Sequence, residues 1–256
     1  MKIVKDPLGD KLKKFERDSE TYPSGNKPIV LRLDGKNFSK YTKRVKCKKP
    51  FDVDLAYIMK TVTEELVKYC NADIGYTQSD EITLILTKKS ENSEIFFGGR
   101  FQKLCSVMAS LATYHFNQLS SSEVMALFDC RAFEVPDKNT AIECLEWRAL
   151  DCRRNSVSCL AQCHFSHKQL QGKKTSEMRE MLREINRNWI EMPEIYRNGV
   201  YIKRVKEIRK FSTEEINKLP EKHEARTNPN LMIERSVCKE ISASVLDASD
   251  KLGFTF

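Results

Sequence analysis

Pro28-Ile29-Val30-Leu31-Arg32-Leu33-Asp34-Gly35 is the stretch on which the fold turns. Its apolar run is too short for a helix, and it ends in Asp-Gly, a turn signal, so 28–33 reads as a strand. Downstream, Leu55, Ile58, Met59, Val62, Leu66 and Tyr69 recur at steps of three and four, the stripe of an amphipathic helix over 54–70. Residues 72–87 read as a hairpin. Ile74 and Tyr76 lie on its first arm and Ile82, Leu84 and Leu86 on its second, with Thr77-Gln78-Ser79-Asp80-Glu81 turning between them. A second helix over 93–118 follows from Phe97, Phe101, Leu104, Cys105, Met108, Leu111 and His115, and 125–135 reads as strand. The order β-α-β-β-α-β over 28–136 is the ferredoxin-like split arrangement. It predicts an α+β protein whose sheet carries two helices on one face and leaves the other free for a ligand. Upstream, 10–19 reads as a short polar helix. Beyond Pro136 the pattern is mainly helical from 140 to 188, with one more strand over 199–210 and a charged, weakly patterned tail from 211. The expected organisation is therefore 1–136 as one domain and 137–256 as a mainly helical lobe built onto its sheet.

Composition narrows the function classes. Across 256 residues, Lys plus Arg is 44 and Asp plus Glu is 36, a net charge of +8. Hydrophobic content of 40 % and charged content of 31 % are globular values and exclude wholesale disorder. No apolar run reaches the ~20 residues of a membrane helix. The start, Met1-Lys2-Ile3-Val4-Lys5-Asp6, lacks the apolar core of a signal peptide. A soluble, cytoplasmic protein is expected, with its nine scattered cysteines as free thiols.

Asp34 closes the first strand, and Asp80 with Glu81 sits in the hairpin turn, so the fold brings the two spots together. Carboxylates that close repel unless one is protonated or a cation joins them. Mg²⁺ suits such a pair, because it takes one or two protein carboxylates and completes its shell with water and phosphate. By themselves the aspartates are equally well ordinary turn residues. The next segment adds weight to the metal. From 35 to 51 there is no acidic residue, while Lys36, Lys40, Lys43, Arg44, Lys46, Lys48 and Lys49 are basic. That run is suited to a triphosphate, with backbone amides around 35–39 as a phosphate cradle. Neither G-x-x-x-x-G-K-S/T nor G-x-G-x-x-G occurs.

Leu31-Arg32-Leu33-Asp34-Gly35-Lys36-Asn37-Phe38, followed by Gln78-Ser79-Asp80-Glu81, resembles the tRNA-His guanylyltransferase family, the 3′-to-5′ polymerases. Further motifs keep the same order: Lys49-Pro50-Phe51-Asp52, Phe97 with Arg100 and Lys103, Phe128-Asp129-Cys130-Arg131, Trp147-Arg148 with Asp151-Cys152, Leu170-Gln171-Gly172, and Tyr196-Arg197 with Gly199. The resemblance spans about residues 10–203. It implies a domain similar to the polymerase palm, with two Mg²⁺ ions held by Asp34, Asp80 and the carbonyl of Gly35. It further implies nucleotide contacts from Lys36, Asn37, Phe38, Ser39 and Ser79, and triphosphate cations at Lys49, Arg100 and Lys103. ATP and GTP are the implied nucleotide substrates, tRNA the partner and a homotetramer the assembly. The family reaction adenylylates a 5′-phosphorylated tRNA; the 3′-hydroxyl of a nucleoside triphosphate then displaces AMP.

One segment departs from the pattern. After Asp151-Cys152 the dedicated enzymes carry His-Ile-Asn-Asn, whereas this chain has Arg153-Arg154-Asn155-Ser156. Two cations replace an imidazole and an apolar side chain, and Arg suits bidentate phosphate contact. The change is similar to the "-like" branch, which restores missing 5′ nucleotides of truncated tRNAs against the 3′ strand. Addition of the −1 guanosine to tRNA-His is the alternative. Arg153, Arg154, Asn155, Lys173 and Lys174 are the expected tRNA contacts, the lysines within a basic helix that its own glutamates dilute. Cys159, Cys163, His164 and His167 do not match zinc-site spacing and are expected on a core-lining helix, and Trp147 with Phe96 and Phe97 is expected in the core. Two other classes remain. A palm-type nucleotide cyclase would need no polymer, which the motifs spread through the second lobe disfavour. A catalytically dead tRNA-binding protein is disfavoured by the intact acidic pair.

Overall fold

In the computed structural model, which describes residues 7–228 and 230–241, the decisive stretch is a strand, β1 (Ile29–Gly35), inside a six-stranded sheet. The start read as lacking a signal-peptide core, 1–6, and the end of the tail, 242–256, lie outside the described residues. Before β1 runs α1 (Pro7–Ser19), which buries none of its residues, as its polar sequence requires. After β1 come α2 (Phe38–Arg44), α3 (Val53–Cys70), β2 (Ile74–Gln78), β3 (Glu81–Leu86), α4 (Phe101–Ser120) and β4 (Phe128–Glu134). The second half supplies α5 (Lys138–Gln162), α6 (His167–Leu170), α7 (Thr175–Glu184), α8 (Glu194–Asn198), β5 (Val200–Lys210), α9 (Thr213–Lys218) and β6 (Met232–Ile241).

The strand order is β4-β1-β3-β2-β5-β6, with every pair antiparallel. The first four strands stand in the order a split β-α-β-β-α-β unit demands. Because successive strand residues point to opposite faces, β1 divides its side chains. Ile29, Leu31 and Leu33 join Leu66, Met108 and Phe116 in the core under α3 and α4. Val30 points the other way, into a second core with Ile74, Tyr76, Ile85, Leu145 and Ala149. That second core corrects an expectation: the far face of the sheet is not free, because α5 lies across it. β1 is thus dry on the α3/α4 face and, at Val30, on the α5 face too, which accounts for its apolar start, while Arg32 and Asp34 on the α5 face remain half-buried.

Three more departures have local causes. The helix read from 93 begins only at Phe101, because Phe97, Gly98 and Gly99 take left-handed backbone and break it. The helical stretch 140–188 is divided into α5, α6 and α7, and the last two pack with Trp189 on the distal half of α5 in a small third core. The tail supplies β6, whose ladder with β5 runs from Tyr201 opposite Ile241 to Lys210 opposite Met232. Residues beyond 136 therefore add two strands to the sheet as well as helices.

Candidate active site

The β1 end and the β2–β3 turn meet by register. Asp34 stands opposite Glu81 on β3 and Asp129 on β4, so three carboxylates form one row on the α5 face of the sheet. The turn is tight: Ser79 has φ +50°, and the Thr77 hydroxyl donates to the Glu81 carbonyl at 2.9 Å. Gly35 ties the two spots together, its N–H donating to the Asp80 carbonyl at 3.2 Å. A Cβ on Gly35 would lie 2.8 Å from Asp80 Oδ2 and inside the Phe38 ring, so only glycine allows this approach.

Asp34 and Asp80 face one cleft of about 970 Å³. Burial pushes the Asp80 carboxyl up to about 6; the charge of Asp34 adds to the effect and the Ser79 hydroxyl, 3.0 Å away, opposes it. Among the described residues no ion pair neutralises Asp34 or Asp80. A half-buried pair of carboxylates lacking a cationic partner, held together by Gly35, is a hard-oxygen donor set that fits Mg²⁺. Among the described residues no three His, Cys, Asp or Glu side chains cluster as a metal site, so a cation here would complete its shell with water and phosphate.

Two walls flank the carboxylates. The first is α2 and the loop behind it, which bring Ser39, Lys43, Lys46, Lys48 and Lys49 to the cleft. Phe38 anchors α2 in an aromatic cluster with Tyr41, Phe116 and Phe128, and Asn37, at φ +54°, turns the chain into it. Asp52 holds the loop's far end by accepting from Lys48 N at 2.8 Å and capping α3 through Leu55 N at 3.0 Å. Burial alone would raise its pKa, but these backbone amides win and hold the carboxyl below its ordinary value. Phe51 stacks on Tyr196 with centroids 4.4 Å apart and planes 11° apart, closing that end.

The second wall is α5, with Arg148, Cys152, Asn155, Ser156, Ser158 and Cys159. Its fixing point is Arg148, whose Nε and Nη2 donate to the two oxygens of Glu81, the latter at 2.7 Å. Nη2 also reaches Asp151 Oδ2 at 2.8 Å. Arg148 and Glu81 side chains are each about 10 % exposed. Burial lifts the Glu81 carboxyl, against the pull of the guanidinium. With both oxygens engaged, Glu81 serves as a strut between α5 and the β2–β3 turn. The i, i+3 spacing of Trp147-Arg148-x-x-Asp151 signals the Arg148–Asp151 contact, while nothing in the sequence marks Glu81 as the partner across 67 residues.

The remaining expected site residues are placed as follows. Ser79 lines the cleft beside Asp80, and Asn155 lines it from α5 while donating to Asp151 at 3.3 Å. Lys36 is exposed just outside, its N–H bonded to the Leu127 carbonyl at 2.8 Å. Arg100 and Lys103 sit at the start of α4, away from the cleft lining, with Lys103 4.6 Å over the Phe97 ring. Arg153 bonds Asn198 Oδ1 at 2.8 Å, and Arg154 pairs with Asp151 at 2.9 Å. Lys173 and Lys174 immediately precede α7, whose Glu177 pairs with the Lys173 ammonium and accepts from the Lys174 N–H. Two core expectations are corrected. Cys159, Cys163, His164 and His167 are exposed, because the buried stripe there is Val157, Leu160 and Ala161. Trp147 is 50 % exposed, because α5 turns Leu145, Arg148 and Ala149 to the sheet instead.

Comparison with known proteins finds relatives of this fold. The family model for tRNAHis guanylyltransferase (Thg1) matches residues 9–136. An uncharacterized protein of Acanthamoeba polyphaga mimivirus is 31 % identical over 232 residues, covering 79 % of this chain and 78 % of its own. Among solved structures, a bacterial tRNA(His) guanylyltransferase (Thg1)-like protein in complex with ATP superposes with a TM-score of 0.73 at 34 % identity, covering 77 % of this chain and 88 % of that one. Another such bacterial protein, in complex with GTP, gives 0.73 at 26 % identity over 94 % and 95 %. With a family model over half its length and relatives at this identity and coverage, the chain belongs to the tRNA(His) guanylyltransferase family of 3′-to-5′ nucleotidyltransferases.

Proposed function

We propose that this nucleotidyltransferase restores nucleotides to the 5′ end of truncated tRNAs, directed by the 3′ strand after 5′ adenylylation. The observation that carries the proposal is the cleft itself: two carboxylates without cationic partners at its floor and a lysine-rich wall beside them. In the first step an oxygen of the tRNA 5′-phosphate attacks the α-phosphorus of ATP and pyrophosphate leaves. In the second, the 3′-hydroxyl of an incoming nucleoside triphosphate attacks the activated 5′-phosphate and AMP leaves. Such transfers are catalysed mainly by positioning and charge neutralisation.

Asp34, Asp80 and the Gly35 carbonyl would hold two Mg²⁺ ions, which lower the pKa of an attacking hydroxyl and neutralise phosphate charge. Lys43, Lys46, Lys48 and Lys49 bind the polyphosphate, and Ser39 and Ser79 hydrogen-bond its oxygens. Arg148 and Glu81 keep α5 in place as the opposite wall. In this reading the domain at 1–136 is the palm and performs catalysis, while the lobe at 137–256 meets tRNA. Arg153-Arg154-Asn155-Ser156, in place of His-Ile-Asn-Asn, favours repair over addition of the −1 guanosine. We also infer a homotetramer working in the cytoplasm; no helix among the described residues is long and apolar enough to cross a membrane.

The test offers labelled nucleotides with 5′-truncated tRNAs of several species and with full-length tRNA-His. Faster addition to truncated tRNAs supports repair. A clear preference for full-length tRNA-His replaces it with the dedicated maturation reaction.

A further inference from the structure

Trp147 is a motif residue that the cleft does not use. It is 50 % exposed, whereas the chain's other tryptophan, Trp189, is 8 % exposed and buried in the third core. On α5, Trp147, Leu150 and Arg154 recur at steps of three and four, so they share one stripe beside the sheet-facing one. Leu150 is 54 % exposed, and the Arg154 side chain 58 %.

The sheet continues this stripe. On edge strand β4, Arg131 stands opposite Arg32 and Phe133 opposite Val30, which places both on the α5 face. Arg131 is exposed and has no ion pair among the described residues; Phe133 is 37 % exposed. Arg32 joins strand to helix, its guanidinium carbon 5.7 Å from the Trp147 ring centroid. Along β4 and β1 the face therefore reads as a carboxylate row (Asp129, Asp34), a guanidinium row (Arg131, Arg32) and an apolar row (Phe133, Val30). Neighbouring rows are two residues, about 7 Å, apart.

Cations and a half-exposed indole, over whose ring the guanidinium carbons of Arg148 and Arg32 lie 4.6 Å and 5.7 Å from the centroid, starting one row from the catalytic carboxylates, match a nucleic-acid strand, whose phosphates take guanidinium groups and whose bases stack on exposed aromatic surface. We propose that this surface seats the RNA strand leading to the reacting 5′ end, with a base stacked on Trp147 and backbone phosphates on Arg131 and Arg154. The inference rests on the tRNA reading of the cleft and names where that RNA lies.

Because Trp189 is buried, acrylamide quenching of wild-type emission reports Trp147. Saturating tRNA, at a concentration set by filter binding, is expected to shield that emission. Trp147→Ala is expected to weaken tRNA binding about tenfold, Trp147→Phe by much less, and Arg131→Ala to reduce the salt slope by about 1. All three variants are expected to keep wild-type ATP affinity and melting temperature. Bound tRNA that leaves Trp147 as accessible as before, or undiminished affinity in Trp147→Ala, overturns the proposal. So does emission that shifts with protein concentration without RNA, which assigns the face to a second copy of the chain. Failure of the catalytic reading looks different: no nucleotide is added to any tRNA, yet tRNA still shields Trp147.

Discussion

The two walls of the cleft are built in different ways. The lysine wall is contiguous in sequence: Lys43 to Asp52 form one short excursion between β1 and α3, pinned at its end by the Asp52 cap. The α5 wall arrives from far along the chain and is fixed by a buried ion pair across 67 residues, Arg148 with Glu81. A local wall can lose a contact and reshape its loop. A remote wall hung on one buried pair loses its position and leaves a charge stranded. The contrast predicts unequal responses to mutation around a floor that tolerates none.

The floor should respond most. Asp34→Ala and Asp80→Ala are expected to abolish nucleotide addition while tRNA binding, followed by filter retention, stays near wild type; residual addition in either variant refutes the metal-ligand assignment. Next comes the remote wall. Arg148→Ala strands Glu81 in a dry site, a loss of about 3–5 kcal/mol readable by urea unfolding. The paired variant Arg148→Met with Glu81→Gln should recover much of that stability, and no recovery would mean the pair is not what holds α5. The local wall should be milder: Asp52→Ala removes a cap worth about 1 kcal/mol. Its kinetic mark is a raised KM for the triphosphate at nearly constant kcat, and a kcat loss alone would contradict the role given to that loop.

A pH test sharpens the floor against both walls. The Asp80 carboxyl is pushed up to about 6 in the fold, above its ordinary value of 3.8. Between those values the folded protein holds a proton that the unfolded chain has lost, so the carboxylate lowers stability increasingly as pH rises through that window. Asp80→Asn is therefore expected to stabilise the metal-free protein by about 1–2 kcal/mol above pH 6, an advantage that fades as pH falls towards 4. Identical melting of the two proteins across this range would show that Asp80 is not under strain.

Sequence patterning reads the first half of the molecule well, because α3 and β4 bury a regular stripe and β1, β2 and β3 are short, nearly continuous buried runs bounded by turn residues. The reach of α5 across the sheet is not readable in that way. Its sheet-facing stripe mixes small residues, Ala141 and Ala149, with the buried cation Arg148, which no hydrophobic pattern marks as interior. β6 escapes for the opposite reason: six of its ten residues are exposed, four of them charged, and its ladder with β5 is what makes it a strand. In the site, Asp34, Gly35 and Asp80 are legible because strand register follows from topology. Arg148 is not, because its partner is set by tertiary packing, and Trp147 misleads because its apolar bulk suggests burial.

The most direct measurement is a metal-preference switch at the floor. Asp80→Cys exchanges a hard oxygen for a soft thiolate at one position. If Asp80 ligates the catalytic cation, the variant adds no nucleotide with Mg²⁺ and regains addition with Cd²⁺, while the wild type keeps its preference for Mg²⁺. Full activity of Asp80→Cys in Mg²⁺ would contradict the account.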